Sequence, residues 1–236
     1  MRKDISDILE FEIIEKIDTT VKVVYASPVE NNTQTIRLCN DKYLRLFGVI
    51  WFLDESEYFS VLSYNSDGSL TIAPSNEGVE AFRGQTLKLK LPFYLKGTPM
   101  AVNFEWNKLS EIQGLKLPLV WLLKPIYQTF FDDSVLDRKS ELVIYLVCEA
   151  NFADDWTDEL DEKNVIPLIN LAIEIVNSIN RNKKMFNKVL DYKALDLSKF
   201  GTEEKNGMVK NILDAKLSGV ELTVTLEVRE QIECNC

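Results

Sequence analysis

The densest group of groups able to bind a cation or move a proton in this chain is Asp154, Asp155, Asp158, Glu159, Asp161 and Glu162. Carboxylate oxygens at that density could hold Mg²⁺, or supply paired acids for glycoside cleavage. A structural role accounts for the same residues more simply. They lead into a long apolar segment, and acids at a helix start complement the positive end of its dipole. Arg181, Lys183, Lys184 and Lys188 follow that segment with the sign suited to the negative end. No catalytic, cofactor-binding or metal-binding residue is assigned, and the chain is not expected to be an enzyme.

An acidic front and a basic back on one subunit also suit head-to-tail contacts. In these, 154–162 of one copy meets 181–193 of the next, and heterologous contacts of that kind close into rings. Asp154, Asp155, Trp156, Asp158, Arg181, Lys183, Lys184 and Lys188 are therefore the candidate subunit-interface residues. Trp156, set among acids, would serve as an interface anchor, since Trp is enriched at binding hot spots. The plain alternative is a solvated helix tip at either end.

Other common chemistry is absent from the residue inventory. The chain has no histidine, which removes Ser-His-Asp triads, Cys-His pairs and HExxH zinc sites. Neither of the two phosphate-binding glycine patterns occurs, and there is no GxSxG elbow. Cys39, Cys148, Cys234 and Cys236 are too scattered for a disulfide framework, and Cys234-Asn235-Cys236 is half a metal site at most. Cys148 lies in an apolar run and reads as core. A net charge of −10 lacks the basic footprint of a nucleic-acid binder, yet is compatible with a protein that surrounds DNA without gripping it. No stretch is apolar enough to span a membrane, and the charged start lacks the core of a secretion signal. A soluble intracellular product is expected.

The elements that must position these residues follow from hydrophobic periodicity. Ile5, Ile8, Leu9, Ile13 and Ile17 predict an amphipathic helix over 4–17, with Asp4 and Asp7 at its front. From 21 to about 96 the period changes to two. Val21–Tyr25, Thr33–Cys39, Tyr43–Leu53, Tyr58–Tyr64, Leu70–Ala73 and Gln85–Leu91 read as short strands of a sandwich or small barrel. Asn65-Ser66-Asp67-Gly68 is a hairpin turn. Thr98-Pro99 opens a helix that ends near Ser110, with Thr98 as cap.

Leu119–Leu123 and Leu142–Cys148 are continuous apolar runs, as in central strands covered on both faces; Trp121 is accordingly core. Residues 158–181 predict a long helix, apolar nearly all round and so buried on more than one face, which Pro167 kinks or effectively starts. Val220 to Val228 alternate as a half-buried closing strand. The expected fold is α+β: 1–18 and 97–236 form one domain, a sheet flanked by helices, and 19–96 is an inserted all-β module.

The segment Phe93-Tyr94-Leu95-Lys96-Gly97-Thr98-Pro99-Met100-Ala101-Val102-Asn103 resembles proteins from the structural gene blocks of phages and prophages of Bacteroidetes. The likeness continues through Lys116–Leu123, the strand 142–148, the acidic stretch after it, and Asn164–Ile179 with its early proline. This pattern is similar to the tail-terminator or neck-completion ring proteins of tailed bacteriophages, including those of crAss-like phages.

The resemblance implies a tail-terminator-like α/β domain and a homo-oligomeric ring of about six or twelve copies. The ring would lie in the virion neck or tail, between portal and tail, in contact with other portal, neck and tail proteins. It would be made in the host cytoplasm, and double-stranded DNA would pass through it without sequence-specific binding. Acidic residues facing the channel would repel phosphates. The resemblance brings no active-site residue. Two readings from other classes stand beside it: a monomeric adaptor that binds through its β module, and a carboxylate-dependent metal hydrolase using 154–162.

Overall fold

The computed structural model describes residues 4–39, 49–53, 57–65, 67–76, 78–89, 91–108, 116–131, 134–149, 164–182, 186–200, 202–205, 208–211 and 217–229. The chain divides into two compact units, Asp18–Leu91 and a second made of Met1–Ile17 with Pro92–Cys236. It is a mixed α+β protein composed mostly of strands.

In Asp18–Leu91, six antiparallel strands close on themselves. They are β1 (Thr20–Ala26), β2 (Gln34–Cys39), β3 (Val49–Phe52), β4 (Tyr58–Tyr64), β5 (Leu70–Pro74) and β6 (Thr86–Leu89). Their order is β1-β2-β5-β4-β3-β6, and β6 pairs back with β1 through Val21 opposite Leu87. Of the two arrangements left open by the alternating pattern, the barrel is therefore the one adopted.

Alternation dictates what fills it. Val21, Val23, Ile36, Ile50, Phe59, Ile72, Leu87 and Leu89 are buried, while intervening residues such as Lys22 and Arg37 face out. Gln34 is buried yet fully used. Its Nε2 donates to Ser27 O (2.7 Å) and Ala81 O (2.8 Å), and its Oε1 accepts from Ala81 N. The β4–β5 hairpin turns through Gly68 at φ +79°, with Asn65 N donating to Ser69 O. Glycine suits that left-handed conformation, as the Asn-Ser-Asp-Gly pattern predicts.

The second unit is built on a six-stranded sheet. Its strands are β7 (Phe93–Gly97), β8 (Leu119–Leu123), β9 (Tyr127–Phe131), β10 (Ser134–Glu149), β11 (Phe186–Phe200) and β14 (Leu217–Arg229). The order is β11-β14-β10-β8-β7, with β9 pairing the first half of β10. All pairs are antiparallel except β7 with β8, which are parallel and joined through α2 (Pro99–Lys108). A small hairpin, β12 (Thr202–Lys205) with β13 (Met208–Asn211), stands off the sheet order.

Both faces of the sheet centre are covered, which is why 119–123 and 142–148 read as unbroken apolar runs. On one face Trp121, Leu119 and Val147 join Phe200, Leu217 and the α2 residues Val102 and Trp106. Trp121 is edge-on to Phe200 and donates Nε1–H to Gly97 O at 2.9 Å. Thr98 caps α2 as expected, its Oγ1 accepting from Ala101 N at 3.4 Å. Lys116 is buried at the other end of that helix, its Nζ donating to Trp106 O at 2.9 Å.

By alternation, Leu142, Ile144 and Leu146 with Val220, Leu222 and Val224 form the other face. α3 (Ile166–Arg181) packs against β10, β11 and β14.

Two expectations change, for the first helix and for Lys188. The first helix is helical over 5–16 but not uniformly α. α1 (Ile5–Ile8) widens into a π-turn at Leu9–Ile13 and tightens to a 3₁₀ turn at Ile14–Lys16. The wide turn lets Leu9, Ile13 and Ile14 all be buried, which a strict 3.6 period would not.

The described part of the long helix is α-helical from Ile166, preceded by π-helical Asn164 and Val165, with Pro167 in its first α-helical turn and no acid in that turn. Residues 158–163 of the expected helix lie outside the described residues. Within its own chain the helix buries one broad face, Leu168, Leu171, Ala172, Ile175, Val176 and Ile179, and leaves Ile166 and Ile173 exposed. It ends at Asn182, which leaves helical geometry at φ −83°, ψ 68°. Lys188 is therefore not at the helix end; it belongs to β11, a strand that the mixed charges of 186–200 concealed.

Candidate subunit interface

Two exposed surfaces of the sheet unit combine apolar side chains with a position where a neighbour could sit. The first is the outer stripe of α3. Since the helix buries residues at spacings of three and four, Ile166 and Ile173, seven apart, fall together on its outer side. They are 48% and 44% exposed. Asn177 and Asn180 continue that stripe, and Arg181 Nη1 binds Glu174 Oε1 at 3.2 Å across the exposed surface. Thus Arg181 is held within its own helix.

The second surface is β11. Among the described strands it ends the sheet, and every residue from Leu190 to Asp196 is exposed, including Leu190, Tyr192 and Leu195. Sequence reasoning missed these three. The strand is interrupted by bulges between Phe186 and Lys188 and between Val189 and Asp191, which blur its period of two. A third exposed pair, Met100 and Phe104, lies on α2 with Lys108 Nζ 4.1 Å above the Phe104 ring. Their i,i+4 spacing, opposite Val102 and Trp106, was a readable sign of a second apolar stripe.

Of the residues singled out from sequence, Arg181 and Lys188 are described, on α3 and β11 respectively. Asp154, Asp155, Trp156, Asp158, Lys183 and Lys184 lie outside the described residues, as do Glu159, Asp161, Glu162, Cys234 and Cys236. Trp106 and Trp121 are core. Cys39 is exposed, and Cys148 is buried with its thiol pushed up to about 12 by desolvation and by Glu149. Among the described residues, no group of three or more His, Cys, Asp or Glu side chains is placed to hold a metal. No helix among them is long and apolar enough to cross a membrane.

The most concentrated charged cluster that is described has a structural explanation. Lys124 Nζ binds Asp4 at 2.9 Å, and Lys96 bridges Asp7 and Glu10. Tyr94 donates its hydroxyl to Ser6 O at 3.0 Å. Burial, aided by the carboxylates of Glu10, Asp4 and Asp7, pushes that phenol far above its usual range, so it stays a neutral donor. Each contact ties the first helix to β7 or to the end of β8. These groups pair with one another, which suits attachment.

No protein-family model, curated protein or solved structure matches this chain.

Proposed function

We propose that this chain is a structural, non-catalytic subunit of a homo-oligomeric ring in the neck or tail of a tailed bacteriophage, surrounding the DNA channel. In this reading the unit of 1–17 and 92–236 is a tail-terminator-like domain, and the barrel is an insertion available to neighbouring proteins. The observation that carries it is the outer stripe of α3. A helix docked on the sheet by seven buried residues still presents Ile166 and Ile173 to solvent. Covering each isoleucine would contribute about 1 kcal/mol or more, a gain that recurs at every contact of a ring. The resemblance of 93–103, 116–123, 142–148 and 164–179 to phage ring proteins supports the same reading. So does the net charge of −10, which disfavours adhesion of DNA to a channel wall.

Electron microscopy of the purified full chain tests it. Annular particles with a central hole are expected from the wild type, and dispersal is expected for Ile173→Glu, whose position on the outer stripe leaves folding intact. Wild-type protein that forms no annulus, or annuli indifferent to Ile173→Glu, overturns the reading. Charge reversal of Lys183 and Lys184 addresses the head-to-tail contact separately, because rings that survive it do not use that contact.

A further inference from the structure

We infer that β11 is a pairing edge for a second copy of this chain, joined antiparallel about Tyr192. A terminal strand in an antiparallel sheet turns the N–H and C=O groups of alternate residues away from its one neighbour. Proteins commonly keep such edges single with lysines and bulges, and β11 has both. Its charges nevertheless do more than repel, because they favour one register: pivots at Ala194 or Leu195 set neither like nor opposite charges together within 191–197, and one other pivot, at Tyr192, sets opposite charges together.

Asp191 through Leu197 pair regularly with Thr225 through Gly219, so this stretch is an unbulged ladder. Two copies related by a two-fold axis through the sheet must pair residues of the same face, which restricts the pivot to single residues. A pivot at Asp191 sets carboxylate against carboxylate, and a pivot at Lys193 sets ammonium against ammonium. A pivot at Tyr192 sets Asp191 of each copy opposite Lys193 of the other, twice. Opposite charges directly across a pair stabilise it, and like charges oppose it.

One apolar residue agrees with that register: Tyr192, 52% exposed, would stack on its own counterpart at the axis. Leu195, three residues further along the regular ladder, belongs to the other face, and Leu190 sits in the bulge between Val189 and Asp191. A two-fold contact closes at two copies, unlike the head-to-tail contacts of a ring, so this inference does not rest on the ring reading.

Light scattering and sedimentation of the full chain test it through a charge swap. The wild type is expected to dimerise. Asp191→Lys sets lysine against lysine at both pairs, and Lys193→Asp sets aspartate against aspartate. Each alone should weaken dimerisation by about tenfold or more. An equimolar mixture of the two variants restores opposite charges at both pairs and should recover mixed dimers of wild-type strength. That recovery also shows both variants to be folded. A wild type that stays monomeric, variants that dimerise as tightly as wild type, or a mixture that fails to recover overturns the inference. Dimers that respond to the swap without any annulus would remove the ring and keep this contact; annuli indifferent to the swap would do the reverse.

Discussion

The barrel of 20–89 and the sheet of 93–229 differ in whether the hydrogen-bond ladder closes on itself. In the barrel every strand has two neighbours. Val24, Tyr25 and Leu62 are exposed; Tyr25 pairs with Arg37, while Val24 and Leu62 sit singly at bulges inside strands that have neighbours on both sides. Such scattered apolar residues need no partner. In the sheet, β7, β9 and β11 each have one neighbour among the described strands. On β11 the exposed apolar residues coincide with an edge that has no second neighbour among the described strands. Exposure alone is thus weak evidence for a contact; exposure on an open ladder is stronger evidence.

Closure does not excuse the barrel from packing, and the largest predicted effects test this. Trp121 is the largest fully buried side chain of the sheet unit, and Phe59 is the largest of the barrel. Either one changed to Ala should cost about 3–5 kcal/mol in urea unfolding, because neither surround can collapse into the space. Trp121→Phe should cost less, about 1–2 kcal/mol, since Gly97 O keeps its bond from Lys124 N at 3.2 Å when the indole donor is lost. A Phe59→Ala loss below about 1 kcal/mol would break the comparison, showing that the closed ladder and not its filling sustains the barrel.

How far these differences were legible in the sequence depends on how one-sided each burial is. The barrel strands alternate cleanly, so their number and type could be read, while closure could not. Whether β6 reaches β1 depends on twist and stagger, which leave no local mark. The runs Leu119–Leu123 and Leu142–Cys148 betrayed double-sided burial by lacking polar residues. β11 failed for the opposite reason. Lys188, Asp191, Lys193 and Asp196 interrupt it, and its bulges shift the phase of what remains.

For α3, the apolar residues suggested burial on more than one face. Ile166 and Ile173 remain outside because the sheet offers only one surface. The charged interface residues named from sequence were chosen by sign of charge, and Trp156 as an anchor among them. Of these, Arg181 pairs with Glu174 on the exposed surface of α3, and Lys188 lies in β11.

Glycine sharpens the comparison at smaller energies. Gly219 lies in β14 opposite Val147 and Leu197. A Cβ there would sit 2.9 Å from Phe200 Cδ2 and 3.2 Å from Leu146 O, where backbone cannot yield. Gly219→Ala should cost about 1–3 kcal/mol in urea unfolding. Gly68 in the barrel hairpin has open space around its Cα, but φ is +79°. There Gly68→Ala should cost about 1 kcal/mol, from backbone strain alone. Trimming Phe200 to Leu should recover part of the Gly219→Ala loss and none of the Gly68→Ala loss. Recovery at both positions would show that crowding is not what separates them.

The smallest effect concerns the attachment of the first helix, which the barrel has no counterpart for. Asp4 caps α1, accepting from Ser6 N at 3.3 Å and Ser6 Oγ at 2.8 Å, and pairs with Lys124. Burial raises its carboxyl pKa. The hydrogen bonds from Lys124, from the Ser6 hydroxyl and from the Ser6 amide outweigh that, and the net shift is downward from 3.8. A depressed folded-state pKa means that the unfolded chain binds the proton more readily. The contribution is therefore fully present above the unfolded value and declines as pH falls through 3.8 toward the lower folded value. Asp4→Asn retains an acceptor for the cap but removes the charge facing Lys124. It should cost at most about 1 kcal/mol at neutral pH, and the difference from wild type should shrink as acid titrates the wild-type carboxylate. Asp4→Ala removes the cap as well, so about 0.5–2 kcal/mol should be lost at neutral pH and part of it should persist in acid. Urea unfolding of both variants at neutral pH and near pH 3 separates the two roles. An Asp4→Asn deficit that grows in acid would reverse the sign derived from the depressed pKa and remove Lys124 from the account.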